Sequence, residues 1–238
     1  MLRSLLIALA MIVMLGRCAS TEIDDNNPEA LFNEAESDVK NDRYQLALDK
    51  FKLVKNKHPY SRFAAIAQLR MADVYFLMES FDEAAASYQS FTELHPKHES
   101  VAYSMYRAGL AFQEDMPSNQ ARDLSSGLKA IEAYDAFTKK FSDHELAADA
   151  RKNQLAVKER LADKALYIGN FYYRQDQWEA AEDRYVNLIA QYPETRSASE
   201  AHGRLEKVRA KLAGKVPERH ERTGAIRHRR NLANGTGQ

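Results

Sequence analysis

The chain has few of the residues that interrupt helices or cross-link a fold. Its 238 residues contain 9 glycines, 6 prolines and a single cysteine. One cysteine cannot form a disulfide within the chain, which excludes a disulfide-stabilised scaffold. Lysine plus arginine equals aspartate plus glutamate at 34 each, so the net charge gives no indication of a nucleic-acid partner. The scarcity of glycine and proline, together with abundant alanine and charged residues, favours an all-helical protein.

The N-terminus lacks a hydrophobic run of membrane-spanning length. Residues 5–15 form an uninterrupted apolar run of eleven residues after Arg3, whereas a helix needs about 20 residues to span a bilayer. A run of this length is typical of a signal-peptide core, which predicts a signal peptide at residues 1–17. Residues 19–27 are polar and acidic, so residues 18–27 are interpreted as an anchor-bearing cysteine and a flexible tether.

The single cysteine follows the hydrophobic run directly. The sequence Leu15-Gly16-Arg17-Cys18 resembles a bacterial lipobox, in which the signal is cleaved before a lipidated cysteine. That resemblance implies S-diacylglycerol and N-acyl groups on Cys18, and no other cofactor. Each buried methylene contributes about 0.8 kcal/mol to membrane binding, so a multiply acylated Cys18 would hold the chain at a membrane. Arg17 stands where a small residue is usual, and cleavage after Ser20, which would release a soluble protein, stays open as the alternative.

A pattern of sixteen residues occurs three times, at Tyr44–Pro59, Phe81–Pro96 and Trp178–Pro193. Each copy begins with an aromatic residue. A small residue follows after three positions, a second aromatic residue after four more, an apolar residue after three more and proline after five more. These small, aromatic and apolar residues are Ala47, Phe51 and Val54; Ala84, Tyr88 and Phe91; and Ala181, Tyr185 and Leu188. A weaker copy has Ala130, Tyr134 and Phe137.

Offsets of four and seven positions place these three residues on one face of a helix, and proline ends the helix. Each copy is therefore interpreted as the second helix of a hairpin, whose first helix offers a small residue at the crossing: Ala35, Ala72 or Gly169. The pattern resembles the tetratricopeptide repeat, a helical hairpin of about 34 residues. The resemblance implies an all-α superhelix, here of about five hairpins with the last incomplete. An ordinary helical bundle with coincidental spacing is the alternative.

Helix start and stop signals predict the bounds of the individual helices. The predicted ranges are 28–41, 44–57, 62–79, 81–94, 100–114, 128–141, 145–174, 178–191 and 194–212. Asn27 is the predicted cap of the first helix. Residues 115–127, with a turn at Met116-Pro117-Ser118-Asn119 and a second weak point at Ser125-Ser126-Gly127, are predicted to be an insertion within the third hairpin. The repeat domain is thus assigned to residues 28–213, and residues 214–238 to a basic tail that we expect to be disordered.

Motifs of catalytic centres are missing from the sequence, which has no glycine-rich phosphate loop, no nucleophile elbow and no HExxH. His95 and His98 have a spacing that two metal ligands can have. However, a proline lies between them and no cysteine is near, so we expect no metal site. The sequence therefore predicts a binding protein and not an enzyme.

Several stretches together resemble the BamD (ComL) family of outer-membrane assembly lipoproteins. They are HPYSRFAAIAQLRMADVYF from His58, HPKHESVAYSMYRAGL from His95, ARD at 121–123, ADA at 148–150 and YPET at 192–195. The string YSMYRAGL is the most specific of them. The resemblance covers about residues 18–213 and implies a lipid-anchored protein on the periplasmic face of the bacterial outer membrane. It also implies three kinds of partner: the periplasmic domains of BamA, other lipoproteins of the β-barrel assembly (BAM) complex, and unfolded outer-membrane proteins.

Two sets of residues are predicted to bind partners. The candidate client-binding residues, on first-helix positions expected to point away from their own partner helix, are Gln68, Arg70, Asp73, Tyr75 and Phe76. An extended peptide with a terminal aromatic residue and carboxylate would suit tyrosines and an arginine, although Tyr75 and Phe76 are also interpretable as packing residues. The candidate BamA contacts, on positions expected to be exposed, are Arg174, Arg184 and Arg196.

A second functional hypothesis is a soluble periplasmic adaptor for envelope maintenance or division, by resemblance to the CpoB family of repeat proteins. Lipidation of Cys18 distinguishes the two hypotheses, because only the BamD-like reading requires a membrane anchor.

Overall fold

A computed structural model of the chain describes residues 26–119 and 121–215, and every regular element in these ranges is an α-helix. The helices are α1 Pro28–Lys40, α2 Tyr44–Lys57, α3 Arg62–Leu77, α4 Phe81–Leu94, α5 Val101–Glu114, α6 Ser125–Lys140, α7 Ala147–Arg174, α8 Trp178–Gln191 and α9 Arg196–Lys215. The predicted all-α fold is confirmed. The predicted signal peptide, Cys18, residues 19–25 of the tether, and the tail beyond residue 215 lie outside the described residues.

The second helices of the three full repeat copies, α2, α4 and α8, begin and end at the predicted residues. The weak point predicted at Ser125–Gly127 and the helix start predicted at residue 128 are wrong, because α6 already begins at Ser125. Asp123 promotes this early start, since its Oδ1 accepts the Ser125 backbone N–H at 3.0 Å and its Oδ2 accepts the Ser125 hydroxyl at 2.9 Å. Helix α9 continues through Gly214 to Lys215, because a helical glycine costs only about 1 kcal/mol relative to alanine.

Helix α1 has the predicted N-terminal cap. Oδ1 of Asn27 accepts the backbone N–H groups of Glu29 and Ala30, each at 3.1 Å. Pro28 follows at the first helical position, where its missing N–H leaves no hydrogen bond unmade. The first hairpin therefore begins at a fixed residue.

Three hairpin turns contain a non-glycine residue with a left-handed backbone. These residues are Asp42, Glu79 and Asp176, with φ of 57°, 58° and 55°. In each turn the next residue donates its backbone N–H to the carbonyl five positions earlier: Arg43 to Asp38 at 2.9 Å, Ser80 to Tyr75 at 3.0 Å, and Gln177 to Tyr172 at 3.1 Å. This 6→1 bond is that of a Schellman motif, which satisfies the last carbonyls of a helix. Each turn carries a conformational cost of about 1 kcal/mol, because the position favours glycine.

The chain divides between Ser104 and Met105 into two compact units. In the first unit, Ala47, Phe51 and Val54 of α2 are fully buried and pack into one apolar cluster with residues of α1 and α3. These residues are Leu31, Ala35, Ala67, Met71 and Val74. The repeat positions thus form the inner seam of the hairpin, as the pattern predicts.

In the second unit, two glycines allow a first helix to approach the aromatic residue of its second helix. A Cβ atom on Gly109 of α5 would lie 2.8 Å from Cε1 of Tyr134, and one on Gly169 of α7 would lie 2.6 Å from Cε1 of Tyr185. Both distances are shorter than carbon atoms tolerate, so only a residue without Cβ fits without a shift. The predicted close-packing role of Gly169 is confirmed, and Gly109 allows the same close approach in the third hairpin.

Helix α7 has 28 residues, as the single long helix predicted at 145–174, and its two halves contact different helices. In the N-terminal half, Gln154 Nε2 donates to Oδ1 of Asp135 in α6 at 2.5 Å. In the C-terminal half, Asp163 accepts a hydrogen bond from Ser197 of α9. One continuous helix therefore joins the α6 side of the unit to the α9 side.

The insertion before α6 is attached to α7 by two cationic side chains. Nη2 of Arg160 donates to the carbonyl of Pro117 at 2.7 Å, and Nζ of Lys164 donates to the carbonyl of Arg122 at 2.5 Å. Met116 is 5% exposed. The described residues of the insertion, 115–119 and 121–124, are therefore packed onto the second unit.

Candidate functional site

Arg70 of α3 is the charged centre of the predicted client-binding set. Its Nε donates to Oε1 of Glu36 at 2.6 Å and its Nη2 to Oε2 at 3.0 Å, while Nη1 donates to Oδ2 of Asp73 at 2.6 Å. The Glu36 hydrogen bond, followed by that of Asp73, raises the pKa of Arg70 although burial acts in the opposite direction. The side chain is 28% exposed, so Arg70 is in partial contact with solvent.

Asp73 is a buried junction with a relative exposure of 6%. Its Oδ1 accepts the hydroxyl of Tyr88 in α4 at 2.6 Å and that of Tyr103 in α5 at 2.9 Å. Its Oδ2 pairs with Arg70. A buried carboxylate is tolerated only when it is paired and hydrogen-bonded, and here one cation and two hydroxyls meet that requirement.

Gln68 lies against the C-terminal end of α4. Its Nε2 donates to Oγ of Ser90 at 3.4 Å, and its Oε1 lies 3.2 Å from Nε2 of His95. Burial, and secondly the nearby His98, lower the pKa of His95, which favours the neutral ring that packs 5.1 Å from Phe91.

Tyr75 and Phe76 are half-buried and make different contacts. Tyr75 packs against the apolar cluster of the first unit, whereas the ring of Phe76 meets that of Phe81 edge-on at 5.2 Å. The expectation that the candidate residues point away from their own partner helix is wrong for Gln68, Asp73 and Phe76, because each contacts α4. Within the candidate set, the structure joins Arg70 and Asp73 by a side-chain hydrogen bond.

Three residues bonded to Arg70 or Asp73 are not among the predicted site residues: Glu36, Tyr88 and Tyr103. Glu36 is 34 positions from Arg70, and Tyr103 is 30 positions from Asp73. No spacing within one helix marks such pairs, since they depend on how successive hairpins stack. The YSMYRAGL string, which begins at Tyr103, is the one sequence signal that could have drawn attention to α5.

The three candidate BamA contacts all lie in the second unit and are all exposed, as predicted. The guanidinium of Arg184 lies 5.8 Å from the ring centre of Tyr172, and Tyr172 is in the last turn of α7, which also contains Arg174. Arg196 lies elsewhere, because its backbone N–H bonds Oε1 of Glu159 at 2.9 Å, and fifteen helical residues separate Glu159 from Arg174, or about 22 Å. Arg196 therefore lies away from the end of α7 that carries Arg174.

Within residues 26–119 and 121–215, no group of three or more His, Cys, Asp or Glu side chains is arranged to hold a metal ion. Over the same part of the chain, no helix combines the length and the hydropathy that crossing a membrane requires.

Comparison with known proteins gives a consistent set of similarities. The family model described as YfiO, outer membrane lipoprotein, matches residues 24–222. The outer membrane protein assembly factor BamD of Neisseria gonorrhoeae is 25% identical over 89% of this chain and 85% of its own length. The protein of the same name is 26% identical in Vibrio cholerae, over 80% of this chain and 83% of its own length. In Rickettsia prowazekii it is 29% identical, over 86% of this chain and 82% of its own length.

Among solved structures, a tetratricopeptide repeat protein from Parabacteroides merdae matches with a TM-score of 0.40 and 16% identity. The match covers 77% of this chain and 60% of that one.

Proposed function

Because the chain belongs to the YfiO family of outer membrane lipoproteins, we propose that it is a scaffold for the assembly of β-barrel proteins in the outer membrane. The family match over residues 24–222 carries this proposal. It is supported by relatives named as outer membrane protein assembly factors that align along four fifths or more of this chain. The resemblance to the BamD family predicted from the sequence is confirmed by these matches.

The mechanism that we propose is binding without catalysis. Lipid on Cys18 anchors the chain to the periplasmic face of the outer membrane. The second unit binds the periplasmic domains of BamA, with Arg174 and Arg184 at the C-terminal end of α7 and Arg196 near its middle. Other lipoproteins of the BAM complex join the same assembly. The exposure of all three arginines supports this assignment, because charged groups on an open surface steer and align a partner.

The first unit binds unfolded outer-membrane proteins through α3. Arg70 has a partly exposed side chain, and a guanidinium can hold a peptide carboxylate by two parallel hydrogen bonds. Tyr75 and Phe76 supply half-buried aromatic surface, and Gln68 a polar edge. Asp73 is too deeply buried to meet a client directly and acts by holding Arg70 and Tyr103 in place.

The proposal is tested by depleting the protein in its own cells. We expect the amounts of β-barrel proteins in the outer membrane to fall, and we expect the tagged protein to co-purify with BamA. Unchanged levels of barrel proteins after depletion would refute the assembly role. Charge reversal at Arg174, Arg184 and Arg196 should reduce co-purification with BamA, whereas reversal at Lys152, which is also exposed on α7, serves as the matched control.

The anchor is tested separately by mass spectrometry of the mature N-terminus. We expect Cys18 as the first residue, carrying diacylglycerol and an acyl chain, and we expect a Cys18→Ser variant to leave the membrane fraction. An unmodified N-terminus at Thr21 would refute the anchor and favour the soluble adaptor.

A further inference from the structure

We propose that Glu36 occupies the carboxylate-binding edge of Arg70 in the resting protein and is displaced when a client carboxylate binds. The inference rests on the proposed client-binding role of α3 and adds a regulatory residue to it. Glu36 lies in α1 and Arg70 in α3, so the contact joins the first helices of two successive hairpins.

The Glu36 carboxylate is held by Arg70 in the way that a bound peptide carboxylate would be. Nε and Nη2 of Arg70 each donate to a different oxygen of Glu36, at 2.6 Å and 3.0 Å. Two parallel bonds of this kind are how arginine recognises a carboxylate with high specificity. A peptide carboxylate needs the same two donors, so it cannot make both bonds while Glu36 holds them.

The two carboxylates on Arg70 differ in how readily they can leave. The Asp73 side chain is 9% exposed and its Oδ1 also accepts two tyrosine hydroxyls, so removing it would leave buried groups unpaired. The Glu36 side chain is 25% exposed, and its carboxylate can turn towards water. Exchanging Glu36 for an external carboxylate replaces one anion by another and leaves no buried charge unpaired.

The rest of the site stays in place when Glu36 leaves. Nη1 of Arg70 remains bonded to Asp73 at 2.6 Å, and the same carboxylate holds the hydroxyl of Tyr103, whose side chain is 37% exposed. A client end therefore meets a positioned guanidinium beside a positioned aromatic ring. The apparent affinity is the intrinsic affinity multiplied by the fraction of time that Glu36 leaves Arg70 free.

The test uses fluorescence anisotropy with the full mature chain in detergent and a labelled peptide of alternating apolar and polar residues. One form of the peptide ends in a free carboxylate, and a second form ends in an amide. We expect Glu36→Gln to lower the Kd of the carboxylate form about threefold to tenfold, because an uncharged amide competes poorly for Arg70. The Kd of the amide form should not change.

A matched control removes the same charge from the same helix. Glu29 of α1 also pairs with an arginine of α3, Arg62, through a single contact at 3.4 Å. Glu29→Gln should leave the Kd of both peptides unchanged. Arg70→Gln should abolish the difference between the two peptides, with helix content by circular dichroism showing that the variant is folded.

The outcomes separate this inference from the function on which it rests. If Glu36→Gln and the wild-type chain bind the carboxylate peptide equally, the inference is wrong while client binding stands. The inference would also be wrong if Glu36→Gln bound the amide peptide more tightly, or if Glu29→Gln bound the carboxylate peptide more tightly. In either case a general effect of removing negative charge would explain the result. If neither peptide binds either chain, the client-binding proposal fails and the inference with it.

Discussion

Replacing Gly169 with alanine should destabilise the second unit, although alanine is the better helix former. The new Cβ would lie 2.6 Å from Cε1 and 2.9 Å from Cδ1 of Tyr185. That ring is fully buried, and its hydroxyl is held by Oδ1 of Asn170 at 2.7 Å, so it cannot swing aside. Overpacking of such a site costs about 2–3 kcal/mol. Alanine recovers about 1 kcal/mol of helix propensity, which leaves a net loss of about 1–2 kcal/mol.

Gly203 of α9 provides the matched control, since a Cβ built there meets no described heavy atom within 4 Å apart from its chain neighbours and the nearby backbone of its own helix. Gly203→Ala should stabilise the protein by about 1 kcal/mol. Urea unfolding of the mature chain, followed by circular dichroism, measures both variants against the wild type. A Gly169→Ala protein that unfolds at the same urea concentration as the wild type, or at a higher one, would show that the close approach is not a constraint.

Three further predictions concern the first unit. Asp73→Asn should lower the free energy of unfolding by about 2–4 kcal/mol, because Arg70 loses a buried anionic partner. Tyr88→Phe removes one donor to the same carboxylate and should lower the free energy of unfolding by only about 1 kcal/mol. An equal loss in both variants would contradict the central role of the Asp73 carboxylate. Glu79→Gly should stabilise by up to about 1 kcal/mol in urea unfolding by relieving the left-handed backbone, whereas Glu79→Ala, which keeps Cβ, should not. The pKa of His95 is lowered in the folded protein, because burial disfavours the charged ring. The neutral ring therefore contributes its full stability above the ordinary histidine pKa of about 6.5. This stability is lost as the pH falls through the lowered pKa of the folded state. The wild type should therefore lose more stability than His95→Gln between about pH 7 and pH 5, and parallel pH profiles would refute this.

The repeat helices were predictable because their information is local. Tyr134 and Tyr185 sit four positions after a small residue, and that spacing alone places both on the buried face, where the structure has them. Pro59, Pro96 and Pro193 likewise mark where the second helices end. The length of α7 followed from the lack of any proline between its ends.

The candidate site was less predictable because its contacts join different helices. Arg70 could be chosen from α3 alone, but the identity of its partner depends on which residue of α1 lies opposite. The burial of Asp73 likewise depends on two tyrosines that α4 and α5 bring in. The left-handed backbone at Asp42 could not be predicted from the sequence either, because that turn position favours glycine and the sequence has aspartate there.

Helix α7 acts on the second unit as a single rod of about 42 Å. Its residues near Gln154 are bonded to α6, and those near Asp163 to α9, with no break in the helix between them. A tilt imposed at the Arg174 end by a bound partner therefore cannot be absorbed by a hinge within the rod. Such a tilt would instead displace α6, which is bonded to Gln154 of the same helix, and the insertion, which is bonded to Arg160.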